Sequence, residues 1–303
     1  MAGGPVQTPT RVTGVTNRPL LRNILVATDF SECSNNALRC ALGIVRRYSS
    51  KLYLLNAVHS IGFALAGTGV LTDASTEARR DARQLERKLI ENASLAGIEH
   101  EFLVEEGRPV EVIVEIAAAK NIDLIVLGTH GRSGLSKVLL GSCAEGVLRA
   151  AVCPVLTVGR WLGRIWPAGG GPQRILLLSD FSTQSNSAAE YALSVASHCG
   201  AELMVRQVFA ERRNKTNGGP CEGDVMRRYG AWLGSINDPK FTPRLLTRGA
   251  STAEAIIQEA RLAHADLIVM GVDGKSSGHP MCRFAYSIVS ESECPVLTVP
   301  AQR

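Results

Sequence analysis

Short apolar runs recur along the chain and alternate with segments of helical periodicity. Four such runs, at residues 24–27, 52–58, 124–127 and 155–158, are almost wholly apolar. Strands of this kind are buried on both faces, as in a parallel sheet covered by helices. Between the first two runs, residues 34–48 place apolar side chains at helical spacing. The pattern predicts alternating strands and helices.

Three further segments complete the first half of the chain. Residues 74–96 predict a long helix, and Gly97 is placed to end it. We expect a strand near residues 98–104 and a helix at 109–120, where Pro109 suits the first turn. With a fourth helix before the last strand, this half predicts a doubly wound α/β domain of five strands and four helices. Its ligand site should lie beyond the carboxyl ends of the strands.

Three segments of the first half return in the second half with few changes. They are NILVATDFS (23–31) and RILLLSDFS (174–182), DLIVLGTHG (123–131) and DLIVMGVDG (266–274), and CPVLTVG (153–159) and CPVLTVP (294–300). The repeat distance falls from 151 to 141 residues along the chain, so the second copy is about ten residues shorter. A period of this length indicates that a whole domain has been duplicated.

The repeat divides the chain into four parts. We predict a flexible tail at 1–20, a first domain at 21–159, a linker at 160–173 and a second domain at 174–303. Four large apolar residues of the linker either seal a seam between the domains or cap the core of one domain. They are Trp161, Leu162, Ile165 and Trp166.

The second copy has a shorter middle section. Its second helix is expected at about 224–236, and Pro239 and Pro243 bracket the following strand. Because proline cannot donate to a sheet ladder, we expect that strand to be irregular or to lie at the sheet edge.

Composition excludes several classes of protein. The 303 residues are 45% hydrophobic and 20% charged, as in a globular protein rather than a disordered one. The net charge is only +5 and Lys and Arg form no block, so no nucleic-acid partner is expected. No apolar stretch approaches the roughly 18 residues that span a bilayer, and the N-terminus lacks the apolar core of a secretory signal. Eight cysteines are too sparse for a disulfide scaffold. We therefore expect a cytoplasmic protein without a membrane partner.

A glycine-bearing loop follows the strand at 124–127. Gly128, Gly131 and the pair Gly141-Ser142 lie between this strand and a helix-like stretch. Glycines let the backbone approach a ligand closely, and a helix start offers unpaired N–H groups and a positive dipole end to a phosphate. The alternative is ordinary turn chemistry. The pattern favours a phosphate site.

The Asp-Phe-Ser after the first strand, the G-x2-G-x9-G-S loop and the terminal CPVLTV strand together resemble the universal stress protein family, here as a tandem pair. The resemblance covers about 24–159 and 175–300. It implies two Rossmann-like domains, each a five-stranded parallel sheet with helices on both faces. It also implies an ATP site where the glycine motif is complete, with Mg or Mn accompanying the nucleotide.

The resemblance assigns nucleotide-binding residues in the first copy. They are Ala27, Thr28, Asp29, Ala57, Leu127, Gly128, Thr129, Gly131, Arg132, Ser133, Gly141, Ser142 and Cys143. Asp29 and Ala57 are expected to border the adenosine, and residues 127–129 to line the base and ribose. Arg132, Ser133 and residues 141–143 are expected to meet the phosphates.

The second copy departs from the glycine motif. Counting nine residues from Gly274 reaches Phe284-Ala285, whereas alignment from the last strand reaches Cys282-Arg283. Neither register supplies Gly-Ser, so we predict that the second domain has lost ATP binding although Asp180 remains. The segment at 274–276 is not a Walker A loop, because position 269 is Val.

Other interpretations of individual residues remain open. Asp29 would alternatively cap the first helix or face solvent. His130 could act on a phosphate, or it could be a solvated loop residue. Cys143 could be activated by the start of the helix, or it could be a buried, inert thiol. Histidine and cysteine show no paired spacing, so no zinc site is expected.

The leading hypothesis is a stress-response protein whose first domain binds ATP, with occupancy regulating its conformation or its partners. One alternative is a slow ATP hydrolase or phosphotransferase, at most a weak ATPase because no catalytic constellation is visible. Another is a nucleotide-free interaction or apolar-ligand module. Because the last strands of the family pair across a dimer axis, we expect CPVLTVG and CPVLTVP to meet within one chain as a pseudo-dimer. Chains are then expected to associate as a homo-oligomer.

Overall fold

The computed structural model describes residues 21–58, 71–91, 94–131, 140–159, 166, 170–180, 183–208, 222–236, 243–246, 252–272 and 283–300. Its first half contains, in chain order, β1 (Asn23–Ala27), α1 (Glu32–Tyr48), β2 (Lys51–Val58), α2 (Leu71–Glu91), β3 (His100–Glu106), α3 (Pro109–Ala119), β4 (Leu124–Gly128), α4 (Ser142–Ala150) and β5 (Val155–Val158). Strands and helices alternate as the sequence predicts.

The second half repeats the same order of elements. It contains β6 (Arg174–Ser179), α5 (Thr183–Cys199), β7 (Glu202–Gln207), α6 (Glu222–Ile236), β8 (Arg244–Leu246), α7 (Ala253–Leu262), β9 (Leu267–Val272), α8 (Arg283–Glu291) and β10 (Val296–Pro300). The two copies of the domain therefore share one fold.

The strands form one ten-stranded sheet in the order β3-β2-β1-β4-β5-β10-β9-β6-β7-β8. Within each half, neighbouring strands are parallel. The halves join through β5 and β10, which pair antiparallel with Leu297 opposite Leu156. The predicted class, α/β with two tandem domains, is confirmed, and the two five-stranded sheets are continuous with each other.

Helices cover both faces of the sheet, which explains why its strands show so little alternation. One apolar cluster joins the sheet to α1, α2, α5 and α6, and the other joins it to α3, α4, α7 and α8. Within β1, Ile24 and Val26 face the first cluster and Leu25 faces the second. None of the helices in the described ranges has the length and apolarity needed to cross a membrane.

Several predicted boundaries needed correction. The helix predicted at 74–96 spans Leu71–Glu91, so Gly97 does not end it; Gly97 lies in a later turn with φ +71°. The helix predicted from residue 34 starts at Glu32 because the Ser31 hydroxyl caps it by accepting from the Ser34 N–H. Pro109 does begin α3, as predicted.

The strand expected between Pro239 and Pro243 instead follows Pro243, at Arg244–Leu246. It pairs with β7 alone among the described strands and forms one edge of the sheet, as expected for a segment next to proline. The tail at 1–20 and the linker residues 161–165 lie outside the described residues.

Trp166 lies at the seam between the two halves. It is 6% exposed, and its indole N–H donates to the Asp266 carbonyl of the second half over 3.0 Å. On its other side, a Cβ built on Gly43 of α1 would lie 3.9 Å from the indole. Nearby, the rings of Tyr48 and His198 stack at 4.5 Å, joining the ends of α1 and α5. Trp166 therefore seals the seam rather than capping one domain alone.

Candidate functional site

The turn after β1 holds Asp29 in a fixed position. The Ser31 N–H donates to Asp29 Oδ1 over 3.1 Å, and the Phe30 N–H donates to Thr28 Oγ1 over 3.0 Å. Phe30 has φ +63°, a conformation that bulky residues rarely adopt, so these bonds support a strained turn. Asp29 does not cap α1, because Ser31 is the capping residue.

A buried asparagine joins the ends of β1 and β2. The Asn56 side-chain amide donates to the Thr28 carbonyl over 2.6 Å, and Asn56 is 8% exposed. Ala57, the predicted contact for adenosine, is the next residue and is half-buried. Asn56 is not among the residues predicted from the sequence, although a polar residue within an apolar strand is a usable signal.

Two glycines let other segments approach the end of β4. A Cβ on Gly128 would lie 2.7 Å from the Cβ of Cys33, so Gly128 permits contact between β4 and the first turn of α1. A Cβ on Gly141 would lie 3.1 Å from the Thr129 carbonyl, which also accepts the Gly141 N–H over 2.8 Å. The start of α4 is thereby held against the end of β4.

The first turn of α4 offers N–H groups for an anion. Gly141 is the N-cap, with an extended backbone at φ −61° and no side-chain cap. The first bond within the helix runs from the Glu145 N–H to the Gly141 carbonyl, so the N–H groups of residues 142–144 have no acceptor inside the helix. The Ser142 side chain is exposed beside them. This arrangement suits a phosphate group.

Cys143 is a partly buried free thiol. Its pKa is raised to about 11, chiefly by burial and secondly by the negative charge of Asp29. This raised pKa favours the buried, unreactive thiol over a thiol activated by the helix start. Asp29 also approaches the glycine loop, since a Cβ on Gly131 would lie 2.8 Å from Asp29 Oδ2.

The structure brings most of the predicted residues to the carboxyl ends of β1, β2 and β4 and to the start of α4. Ala27 pairs with Leu127 at the last register position of β1 and β4. The predicted site residues placed at these positions are Ala27, Thr28, Asp29, Ala57, Leu127, Gly128, Thr129, Gly131, Gly141, Ser142 and Cys143. Arg132 and Ser133 lie outside the described residues.

Few of the described residues at this site carry side chains that could act as a general acid or base. His130 is half-buried, and its Nδ1 lies 2.9 Å from the Thr129 hydroxyl. In the part of the chain that the structure describes, no group of three or more His, Cys, Asp or Glu side chains could hold a metal ion. The arrangement is suited to binding an anion rather than to acid–base chemistry.

The corresponding place in the second half differs. Asp180 follows β6, as Asp29 follows β1. The helix α8 begins at Arg283, so Arg283 takes the place of Ser142, and Phe284-Ala285 lies inside the helix. The register counted forward from Gly274 is therefore wrong.

Comparison with known proteins agrees with this architecture. The model of the universal stress protein family matches residues 21–159 and 172–300. The chain belongs to this family. It is 34% identical over 140 residues to universal stress protein MJ0531 of Methanocaldococcus jannaschii, covering 46% of this chain and 82% of the relative. It is 30% identical over 150 residues to universal stress protein YxiE of Bacillus subtilis, covering 46% of this chain and 99% of YxiE.

Solved structures share the tandem fold of this universal stress protein. The crystal structure of a universal stress protein from Archaeoglobus fulgidus matches with a TM-score of 0.67 and 23% identity, over 92% of this chain and 96% of that one. The functionally unknown protein PA1789 from Pseudomonas aeruginosa matches with a TM-score of 0.64 and 20% identity, over 94% and 95% of the two chains. At these sequence identities, the structural similarity shows a shared fold and nothing further.

Proposed function

We propose that this universal stress protein binds ATP in its first domain, at the carboxyl ends of β1, β2 and β4. The observation that carries the proposal is the close approach of the α4 start to β4. It places the N–H groups of residues 142–144 beside the turn that holds Asp29. A narrow crevice with an anion-binding end and a fixed carboxylate suits a nucleotide, which carries phosphates at one end and ribose hydroxyls nearer the other.

Different residues of the first domain contact different parts of the nucleotide. The N–H groups of residues 142–144 and the Ser142 hydroxyl donate to phosphate oxygens. The Asp29 carboxylate accepts from ribose hydroxyls, and Ala57 lies against the base. A Mg or Mn ion accompanying ATP would be held by the phosphates.

The second domain does not bind ATP under this proposal. At the position of Ser142 it carries Arg283, whose side chain is exposed at the start of α8. At the position of Leu55 it carries Arg206, which is 1% exposed and pairs with Glu259 of α7. The second domain instead supports the first through the continuous sheet, in the manner of a pseudo-dimer within one chain.

Occupancy of the first domain then regulates conformation or partner contacts in the cytoplasm, in a chain that associates with further copies. The two alternative functions gain no support from the described residues. Cys143 is protonated at neutral pH, which removes one candidate nucleophile for a hydrolase or phosphotransferase. The apolar cavity at the seam measures about 20 Å³, enough for about one water molecule and far below the roughly 300 Å³ of a ligand pocket.

Gly141→Val tests the proposal. The valine side chain would meet the Thr129 carbonyl and push α4 away from β4, so we expect ATP binding by the whole chain to be lost. Calorimetric titration measures the affinity for ATP. In a separate unfolding experiment, ATP at a concentration of about 100 times Kd should raise the free energy of unfolding of the wild-type chain by roughly 2.7 kcal/mol. Mass spectrometry of small molecules that co-purify with the wild-type chain identifies the nucleotide.

Gly230→Val is the matched control. Gly230 lies in α6 of the second domain, and a Cβ there would have no neighbour within 4 Å, so ATP binding should be unchanged. Full-affinity binding by the Gly141→Val chain would show that the nucleotide lies elsewhere. Steady ATP turnover that Ser142→Ala abolishes without loss of binding would favour the hydrolase alternative.

A further inference from the structure

The second domain contacts the start of α4 directly. The backbone N–H of Leu140 donates to the hydroxyl oxygen of Tyr286 over 3.1 Å, across 146 residues of sequence. Leu140 is 5% exposed and directly precedes the N-cap Gly141. Tyr286 belongs to α8 and packs against the apolar cluster that contains Ala144 of α4. The domains therefore meet at the edge of the proposed nucleotide site as well as at the central strands.

Two successive N–H groups fix where α4 begins. Leu140 is bonded to Tyr286, and the Gly141 N–H donates to the Thr129 carbonyl over 2.8 Å. The chain entering α4 is thus anchored to β4 of its own domain and to α8 of the other domain. The N–H groups of residues 142–144 follow immediately, so their position relative to β4 depends on both anchors.

The corresponding residue of the first domain makes a different contact. Because α4 begins at Ser142 and α8 at Arg283, Glu145 occupies the position in α4 that Tyr286 occupies in α8. The Glu145 carboxylate forms an ion pair with Arg149 of its own helix. Among the described residues, the bond from Leu140 to Tyr286 therefore joins the two domains, whereas Glu145 pairs within its own helix.

We propose that Tyr286 is a positioning residue for the nucleotide site of the first domain. Nucleotide binding and the contact of α8 with the start of α4 are then linked. The inference rests on the proposed function and gives the second domain a part in binding although it holds no nucleotide. Linkage is reciprocal: the factor by which the Tyr286 contact strengthens nucleotide binding is the factor by which the nucleotide strengthens that contact.

Tyr286→Phe in the full chain removes the hydroxyl and keeps the ring. We expect the affinity for ATP, measured by calorimetric titration, to fall about 5-fold, the equivalent of one neutral hydrogen bond. Tyr229→Phe is the matched control, because the Tyr229 hydroxyl donates to the Pro243 carbonyl within the second domain. That variant should lower stability while leaving the affinity for ATP unchanged.

A second readout separates positioning from a general effect on stability. Hydrogen exchange at the Leu140 amide, followed by NMR, should slow when ATP binds the wild-type chain, and this slowing should be lost in Tyr286→Phe. Unchanged affinity in Tyr286→Phe, or an equal loss in both tyrosine variants, would overturn the positioning role while the proposed function stands. A wild-type chain that binds no ATP would overturn both.

Discussion

The Asp29 carboxylate affects the candidate site through its charge as well as its hydrogen bonds. Its Oδ1 accepts from the Ser31 N–H, which fixes the charge at the end of β1. Burial is the main cause that raises the pKa of the Cys143 thiol to about 11, and the charge of Asp29 is the second cause. A thiolate at residue 143 would therefore form only in alkaline solution, and more readily without its acidic neighbour.

Asp29→Asn should accelerate alkylation of Cys143. Removing the negative charge favours the thiolate, so the thiol pKa falls and the iodoacetamide reaction reaches a given rate at lower pH. Mass spectrometry measures the rate at each cysteine between about pH 7.5 and 10. Cys153 is an internal control, since its pKa is also about 11, raised chiefly by burial and not by Asp29. Equal acceleration at both cysteines would indicate unfolding instead of a local charge effect.

At the level of single residues, local signals were predictable and distant contacts were not. The glycine at the N-cap of α4 was visible because helix starts carry short sequence signatures. The contact of Gly128 with Cys33 and the bond from Asn56 to the Thr28 carbonyl join residues far apart in sequence. One sequence does not reveal which residues meet in such a pair, because the pairing follows from strand order and register.

Arg206 ties three elements of the second domain together. It lies in β7, its Nε is 2.9 Å from the Glu259 carboxylate of α7, and its Nη1 donates to the Leu246 carbonyl of β8 over 3.1 Å. The strand registers place it where the first domain has Leu55, which is fully buried. An ion pair between buried Arg206 and half-buried Glu259 thus replaces an apolar contact beneath α7, which distinguishes the interiors of the two domains.

Glu259→Gln should destabilise the chain by about 3 kcal/mol, because it removes the carboxylate charge beside a buried guanidinium. Chemical denaturation measures the loss. Combining it with Arg206→Met should recover most of the stability, since an apolar side chain then occupies the place that Leu55 fills in the first domain. Glu202→Gln is the control: its pair with Arg174 spans 3.6 Å and both side chains are more than 40% exposed, so the loss should stay below about 0.5 kcal/mol. A similar loss in both single variants would contradict this account.

Elements with strong periodicity were predicted more accurately than those beside loops. The central strands fell within a residue or two of their predicted positions, because continuous apolar runs bounded by turns leave few alternatives. The helix expected at 74–96 was displaced to Leu71–Glu91, since its charged sequence carries little apolar signal at either end. The edge strand β8 was displaced because its three residues are too few to carry a periodic signal and are ordered mainly by pairing with β7.

At the scale of the whole chain, two threonines join the halves with matching geometry. Thr157 of β5 donates to the Val296 carbonyl over 3.1 Å, and Thr298 of β10 donates to the Val155 carbonyl over 3.2 Å. Both threonines are 1% exposed. The repeat indicated that these strands correspond, whereas their antiparallel register and this reciprocal bonding appear only in the structure. The shared strand pair and the Trp166 seam make the two halves one packed unit.

Because the sheet is continuous, we expect the chain to unfold in a single calorimetric transition, with equal calorimetric and van't Hoff enthalpies. Replacing Thr157 and Thr298 together by valine keeps their shape and removes both hydroxyl bonds, at a cost of about 1 kcal/mol each. For a unit of this size, that loss should lower the melting temperature by about 4 °C. Each single variant should produce about half the shift, because the bonds are separate. Two resolved transitions in the wild-type chain would show that the halves unfold independently and that the β5–β10 junction contributes little to cooperativity.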